Sequence, residues 1–322
     1  MPQSHHSHSG QFCKHAVGTL EEVVLEAIRR GFETYGLTEH VPRYRDEDMY
    51  PEEKGLSSDD LVKQFDSFLT EAHRLKASYA PRIALLVGLE TEYITSIDMD
   101  HLEDFLEHRP GQIEYIVGSV HHVNRIPIDF DLPTSHKALA SFDGGPPPNS
   151  AFQQMECFLS SYFDAQYEIL HRLHPEVIGH IDLCRLYNPD LQLQEYPKAW
   201  KKLERNVDYA ISYGALFEVN AAAFRKGWST AYPGADVMQL IQRRQGRFAL
   251  SDDSHGPHAV ALNYKRLADY LRRVGVTELW FLASDSAVNG RGRPVAAQKI
   301  DGCWWEHPFW RDNFPAEQIS DV

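Results

Sequence analysis

A parallel α/β barrel is the fold class this sequence predicts, on three observations. Apolar runs alternate with amphipathic helical stretches along most of the 322 residues, the pattern of successive βαβ units. The length suits one barrel-sized unit. Nearly every apolar run also ends in a histidine, a carboxylate or an asparagine. The strands of a parallel barrel deliver such residues together to the face where active sites lie.

Taken in order, the first strand is short and ends near His6 and His8. Thr19 caps a helix that runs to Arg30 and stops at Gly31, and Glu22 completes a capping box. A brief β-like run over 34–40 ends at His40, and a polar loop over 41–57 follows. Ser58 opens a helix to about Tyr79, with Leu61, Phe65, Phe68, Leu69, Ala72 and Leu75 at helical spacing. The continuous apolar run 83–90 ends in Glu90 and suits a strand buried on both faces.

A helix over about 99–107 leads to a strand over 113–121, ending in His121 and His122. Residues 124–150, with their Gly-Gly-Pro-Pro-Pro run, read as an irregular insertion, either a lid or a variable surface segment. A long helix over 151–173 then leads to 177–182 with His180 and Asp182. A helix over 197–213 precedes 215–220, which ends in Asn220, and a loop over 221–234 holds Arg225 and Lys226. A helix over 235–245 precedes 247–255, with Asp253 and His255. The last helix is expected over 258–274, and 277–283 is a last apolar strand with no polar residue at its end. One unit over 1–322 is expected, with a tail from about 284 to 322 that packs over one end or frays.

Composition narrows the function. With 32 basic against 46 acidic residues the net charge is −14, which argues against broad nucleic-acid or anionic-membrane binding. A small anionic substrate is still allowed, because metal ions and a few arginines reverse the field locally. Four scattered cysteines form no C-x-x-C pair, no apolar run reaches membrane-spanning length, and the start lacks a secretory signal pattern. A cytoplasmic protein with reduced thiols is expected. Oligomeric state has no readable signal.

The compositional oddity is 17 histidines. His5, His6, His8 and His15 crowd the start of the chain, as a purification remnant would. Residues i and i+2 of an extended chain point to one side, so His6 and His8 can also converge on one ion. The joint pattern decides. His6/His8, His40, Glu90, His121, His180, Asn220 and Asp253/His255 each end a predicted strand, which points to a metal site on the barrel face. His5 keeps a solvent-facing reading. Nitrogen and oxygen donors without cysteine pairs suit Zn, Mn or Fe, and there are more donors than one ion can use. Two or three divalent ions sharing a bridging carboxylate such as Glu90 are expected, and such a cluster supports hydrolysis of an ester.

These residues also carry a family resemblance. His6-Ser-His8, Thr38-Glu-His40, Gly88-Leu-Glu90, Gly118-Ser-Val-His121, Gly179-His180-Ile-Asp182 and Ser251-Asp-Asp-Ser-His255 resemble the ordered motifs of the polymerase-and-histidinol-phosphatase (PHP) superfamily, and within it the histidinol-phosphatases. The likeness spans about residues 1–273. It implies a distorted (β/α)7 barrel with a trinuclear metal centre. It also implies hydrolysis of L-histidinol phosphate to L-histidinol and phosphate in histidine biosynthesis. Residue by residue it carries metal binding onto His6, His8, His15, His40, Glu90, His121, His180, Asp253 and His255. The D-x-H pattern selects Asp253, with Asp252 as a neighbour that supports it from behind.

Further roles follow from position. Attack on phosphorus is expected directly from a metal-bridging hydroxide, with cationic side chains steadying the equatorial oxygens. Arg185 and Arg225 are the candidates for phosphate contacts, with Lys226, Arg43 and Asn220 as further substrate contacts and Arg225 also acting in catalysis. His122 is a candidate acid for the leaving alkoxide. Glu92, two residues after Glu90, either binds the substrate ammonium or orients a ligand; Asp182 stands in the same relation to His180 and is a catalytic candidate. The competing readings are a phosphoesterase for nucleotide or sugar phosphates, a metal-dependent amidohydrolase, and a non-catalytic metal-binding module.

Overall fold

The structure is a computed structural model that describes residues 2–144 and 149–313. The chain opens with two short strands, β1 (Gln3–Ser4) and β2 (Ser7–His8). Helix α1 (Leu20–Arg29) starts at the Thr19/Glu22 capping box, and β3 (Thr34–Leu37) follows. Helix α2 (Ser58–Tyr79) is capped by Ser57 with Asp60 and buries the apolar face read from its spacing. Next come β4 (Ala84–Glu90), α3 (Ser96–Glu107), which begins three residues before the expected start, and β5 (Tyr115–Gly118).

The segment expected to be irregular is partly ordered. Strands β6 (His122–Val123) and β7 (Ile126–Pro127) form a small hairpin, and helix α4 (Leu132–Ala140) is capped by Asp131. Only Ala138 of this helix is buried, so it has no apolar stripe for a periodicity reading to find. Residues 145–148, the rest of the Gly-Pro run, lie outside the described residues, as do 314–322 of the tail.

Helix α5 (Ala151–Leu173) leads to β8 (Val177–Ile178), α6 (Pro197–Ser212) to β9 (Leu216–Asn220), and a short α7 (Ala222–Arg225) and α8 (Ala235–Arg243) to β10 (Arg247–Ser251) and β11 (Ser254–His255). Helix α9 spans only Tyr264–Arg273, because Ala261 and Asn263 adopt left-handed backbone that interrupts any earlier start. Strand β12 (Trp280–Ser284) is not a barrel strand. It pairs antiparallel with the unforeseen β13 (Val295–Lys299), and α10 (Pro308–Asn313) follows.

Seven strands lie in the order β1-β3-β4-β5-β8-β9-β10, with every neighbouring pair parallel. The ring is drawn together at its seam by β2 and β11, where Ser7 faces Ser254 and His8 faces His255. The Ser4 hydroxyl, bonded to the Asp252 carboxylate at 2.8 Å, crosses the same seam. The fold is therefore the predicted parallel barrel of seven strands, nearly closed.

Two apolar clusters build it. One lies between the sheet and the outer helices. The other fills the barrel, with Leu86, Tyr115, Val117, Val177, Leu216 and Ala249 meeting Leu282 and Val295 of the β12–β13 hairpin. The hairpin thus plugs the end opposite the catalytic-type face. It also corrects the reading of His5, which is wholly buried and accepts a hydrogen bond at Nε2 from Leu282 N at 2.8 Å. His5 alternates with His6 along the strand, so it points toward the plug while His6 points toward the opposite face.

Tyr115 spans the barrel interior and donates to the His5 carbonyl at 2.8 Å. Gly88 makes room for it, since a Cβ there would lie 2.6 to 2.8 Å from the Tyr115 ring. Gly88→Ala is therefore expected to destabilise the fold by about 1–3 kcal/mol through overpacking. Denaturant unfolding measures it, and an unchanged midpoint would contradict this packing account.

Candidate active site

The C-terminal ends of the barrel strands place His8, His40, Glu90, His121, His180, Asp253 and His255 around one cleft of about 490 Å³, with the wholly buried His6 behind Glu90. That size is ordinary for a small-molecule site. At its floor is Glu90, only 1% exposed. Its Oε1 lies 3.2 Å from His6 Nε2, 3.1 Å from His121 Nε2 and 3.0 Å from His180 Nε2. Its Oε2 lies 3.3 Å from His8 Nε2 and 2.9 Å from His40 Nδ1. The two nitrogens of the H-x-H pair are 3.1 Å apart, so the convergence expected from strand alternation occurs.

Three outer carboxylates set the orientation of these rings. His6 Nδ1 faces Glu218 at 3.1 Å, His8 Nδ1 faces Glu39 at 3.3 Å, and His121 Nδ1 faces Glu92 at 3.1 Å. Each carboxylate accepts a hydrogen bond from Nδ1–H, which leaves Nε2 as the ring's acceptor. Glu39 is itself held by Ser9 N at 2.9 Å and the Ser9 hydroxyl at 3.0 Å. Sequence reasoning missed Glu39 and Glu218. A carboxylate beside His40 and one two residues before Asn220 were their only signal.

Burial and charge oppose each other here. Burial disfavours a charged His6 ring, but Glu90, Asp253 and Glu218 hold it well above the ordinary histidine range. Burial acts likewise on His8, and Glu39 with Glu90 carries it up to about 9. Glu90, despite burial, is held well below the carboxylate range by His6, His121 and His40. Burial, with the charge on His8, pulls His40 down to about 3. The cluster needs positive charge, and its rings compete to supply it.

The donor geometry fits metal ions. Two Nε2 acceptors 3.1 Å apart repel unless a cation lies near both. A zinc ion about 2.0–2.1 Å from two tetrahedral ligands holds them about 3.3 Å apart, close to the separations around Glu90. His6, His8 and Glu90, and likewise His6, His180 and Asp253, each bring donor atoms within 4.8 Å of one another. So do His8, Asp253 and His255, and His15, His40 and His255. These groups share members, as the expectation of two or three ions requires. His15 is the outlying member. Its Nδ1 faces Glu52 at 3.3 Å, its Nε2 faces Cys13 Sγ at 3.2 Å, and its ring is 41% exposed.

The two adjacent aspartates separate cleanly. Asp253 Oδ1 lies 3.8 Å from both His6 Nε2 and His8 Nε2. Asp252 turns away to Ser4, to the Tyr35 hydroxyl at 3.1 Å and to Ala261 N at 2.9 Å. A left-handed backbone at Asp253, φ 46°, produces the switch of direction.

Several expected substrate contacts are elsewhere. Arg185 is buried and bidentate, binding Asp182 at 2.7 Å and Asp236 at 2.6 Å, with Leu191 O as a third partner. Asp182 also accepts from Gly234 N at 2.8 Å. This pair braces the loop before α8. Arg43 is buried against Glu53 and lies over the Tyr50 ring at 4.7 Å. Asn220 bonds Glu218 and, at 3.2 Å, Asp253, so it braces the cluster from inside. His122 lies outside the cleft lining, 3.1 Å from Glu92, which therefore sits between His121 and His122 as an orienting group. Position after a strand does not say which way a side chain points, and these residues point inward.

Arg225 and Lys226 do line the cleft, as expected. Both are exposed, and Arg225 reaches only the Asp253 carbonyl, at 3.5 Å, among the described residues. The cleft wall holds residues that the sequence did not single out: Tyr50, Glu52, Asp129, Phe130, Leu183, Leu186 and Tyr232. The buried Tyr232 hydroxyl has no partner among the described residues, and burial pushes its pKa well above the usual range, so it stays a donor.

Comparison with known proteins places the whole chain. The family model of the PHP domain matches residues 4–222. The chain is 44% identical over 307 residues to a protein of Schizosaccharomyces pombe named "Probable histidinol-phosphatase", covering 94% of this chain and 96% of that one. It is 34% identical over 315 residues to the histidinol-phosphatase of Saccharomyces cerevisiae, covering 87% and 90%. Its backbone matches the crystal structure of histidinol phosphate phosphatase from Lactococcus lactis, a complex with zinc, L-histidinol and phosphate. That match has a TM-score of 0.61 and 16% identity, and it covers 91% and 98% of the two chains; at that identity it shows the fold.

The internal role of Arg185 is testable. Arg185→Met strips Asp182 and Asp236 of their buried partner and is expected to cost about 3–5 kcal/mol of stability, read by denaturant unfolding. Unchanged stability with a raised KM for a phosphate ester would return Arg185 to the substrate.

Proposed function

Since the chain belongs to the PHP domain family, we propose that it is a histidinol-phosphatase. It hydrolyses L-histidinol phosphate to L-histidinol and phosphate in histidine biosynthesis, and the hydrolysis is metal-dependent. The observation that carries this reading is the Glu90 carboxylate facing the Nε2 atoms of His6, His8, His121 and His180 within 3.3 Å. The relatives named for this activity support the substrate.

The ligand set is His6, His8, His40, Glu90, His121, His180, Asp253 and His255, with His15 at its edge, for two or three ions of Zn, Mn or Fe. Divalent ions bound there lower the pKa of water and offset charge on a phosphoryl group. The chain supplies the rest. Glu218, Glu39 and Glu92 keep each ring in the tautomer that presents Nε2. Arg225 and Lys226, exposed on the rim, steady the phosphoryl oxygens as negative charge shifts toward the leaving oxygen. The Tyr232 hydroxyl, protonated and without a partner among the described residues, donates a further hydrogen bond to that group. Burial of the Glu90 floor excludes bulk water and strengthens these interactions.

We read residues 1–322 as one PHP-type unit, working in the cytoplasm. Four unpaired cysteines suit a reducing compartment, and no helix among the described residues is long and apolar enough to cross a membrane.

The purified protein supplied with Mn or Zn should prefer histidinol phosphate over nucleotide and sugar monophosphates by roughly a hundredfold or more in kcat/KM. Equal turnover of all three would favour a general phosphoesterase, and no turnover with full metal occupancy a binding module. His8→Ala and Glu90→Ala should reduce bound metal and bring activity to background. Glu218→Gln should cost about 10–100-fold in metal affinity or activity. Near-normal turnover in the first two variants would exclude the proposed ligand set.

A further inference from the structure

Two carboxylates stand in the cleft wall away from Glu90 and Asp253, and they differ in what they face. Glu52 is 3.3 Å from His15 Nδ1. Asp129 has a buried Oδ1 with no hydrogen-bond partner among the described residues. A buried carboxylate oxygen with no donor is costly to maintain, and such oxygens are normally satisfied. Its position is set by the backbone. Ile128 N donates to the His121 carbonyl at 2.9 Å, which pins Asp129 beside a strand end of the cluster. The Asp129 carbonyl is in turn reached by the Tyr187 hydroxyl at 3.3 Å.

Phe130 adds a second observation. It is 42% exposed although it lines the cleft. Its ring stacks on Tyr50 with centroids 6.1 Å apart and planes 23° apart. Tyr50 is backed by the Arg43 guanidinium, so the free apolar surface is that of Phe130. An open aromatic face next to an unsatisfied anion is the complement of a molecule carrying a cation and a flat ring. Arg225 and Lys226, also in the lining, supply the complement of a phosphate.

We infer that Asp129 and Phe130, supported by Tyr50, form the leaving-group pocket, in which Asp129 receives a primary ammonium group and Phe130 packs on a planar heteroaromatic ring. This rests on the histidinol-phosphatase reading and assigns the part of the substrate that the metal cluster does not touch. Asp129 acts as a specificity residue. The phosphoryl group sits at the cluster for any ester, and Asp129 selects esters whose alcohol is an amine.

The test compares L-histidinol phosphate with 3-(imidazol-4-yl)propyl phosphate, which keeps the ring and the chain length and lacks only the amino group, and with p-nitrophenyl phosphate. In Asp129→Asn the ratio of kcat/KM for histidinol phosphate to that for the imidazolylpropyl ester should fall roughly a hundredfold toward unity, mainly through KM. Phe130→Ala should lower the preference for both imidazole esters over p-nitrophenyl phosphate. Circular dichroism and metal content of each variant check that the barrel is intact. A selectivity ratio that survives Asp129→Asn overturns the inference, as does an equal loss on all three esters. Wild-type protein that does not turn over histidinol phosphate at all sinks the functional reading and this pocket with it, whereas failure of the ratio alone leaves the functional reading standing.

Discussion

Everything at the active face depends on one buried carboxylate surrounded by imidazoles. Glu90 presents two oxygens to five rings from other strand ends and is itself almost wholly buried. Such an arrangement has no stable form with every ring neutral, since Nε2 lone pairs would face each other and the anions of Glu90, Glu39, Glu218 and Glu92 would stand uncompensated. Cations resolve both conflicts at once. Part of the free energy of metal binding then counts as free energy of the folded barrel, because the same ions hold its strand ends together.

The architecture follows from that demand. A parallel barrel is a device for bringing residues from distant parts of the sequence to one small ring. The seam at β2 and β11 shows how tightly it is used: His8 and His255 are register partners there, although 247 positions separate them in the chain, the difference of their numbers. The opposite end is handled differently. The β12–β13 hairpin closes it with Leu282 and Val295 and holds His5 neutral, where burial brings its pKa down to about 4. Two neighbouring histidines thus have opposite electrostatic lives, and strand alternation alone separates them.

The same alternation explains what was legible in the sequence. The fold class was, because long apolar runs and amphipathic helices have distinct periods. The inner cluster was too, because strand ends in a parallel barrel are equivalent positions. Arg185 and Asp182 pair with each other and with Asp236, 51 positions on from Arg185, a direction the sequence does not reveal because a residue just past a strand can turn toward the cleft or toward the next helix. Glu218 and Glu39 were overlooked because they sit behind the rings, where only tertiary contact gives them a role. Tyr50, Asp129, Phe130 and Tyr232 come from loops with no period. Helix α4 and strand β13 hid for a related reason: neither buries a continuous apolar face.

Anomalous X-ray diffraction at the zinc, manganese and iron edges, from crystals grown without chelators, tests the central claim most directly. Two or three peaks are expected between Glu90, Asp253 and the histidine rings, each about 2.0–2.3 Å from its donors. A cluster with no anomalous density, whose rings are bridged by protons and which still hydrolyses histidinol phosphate, would contradict the account.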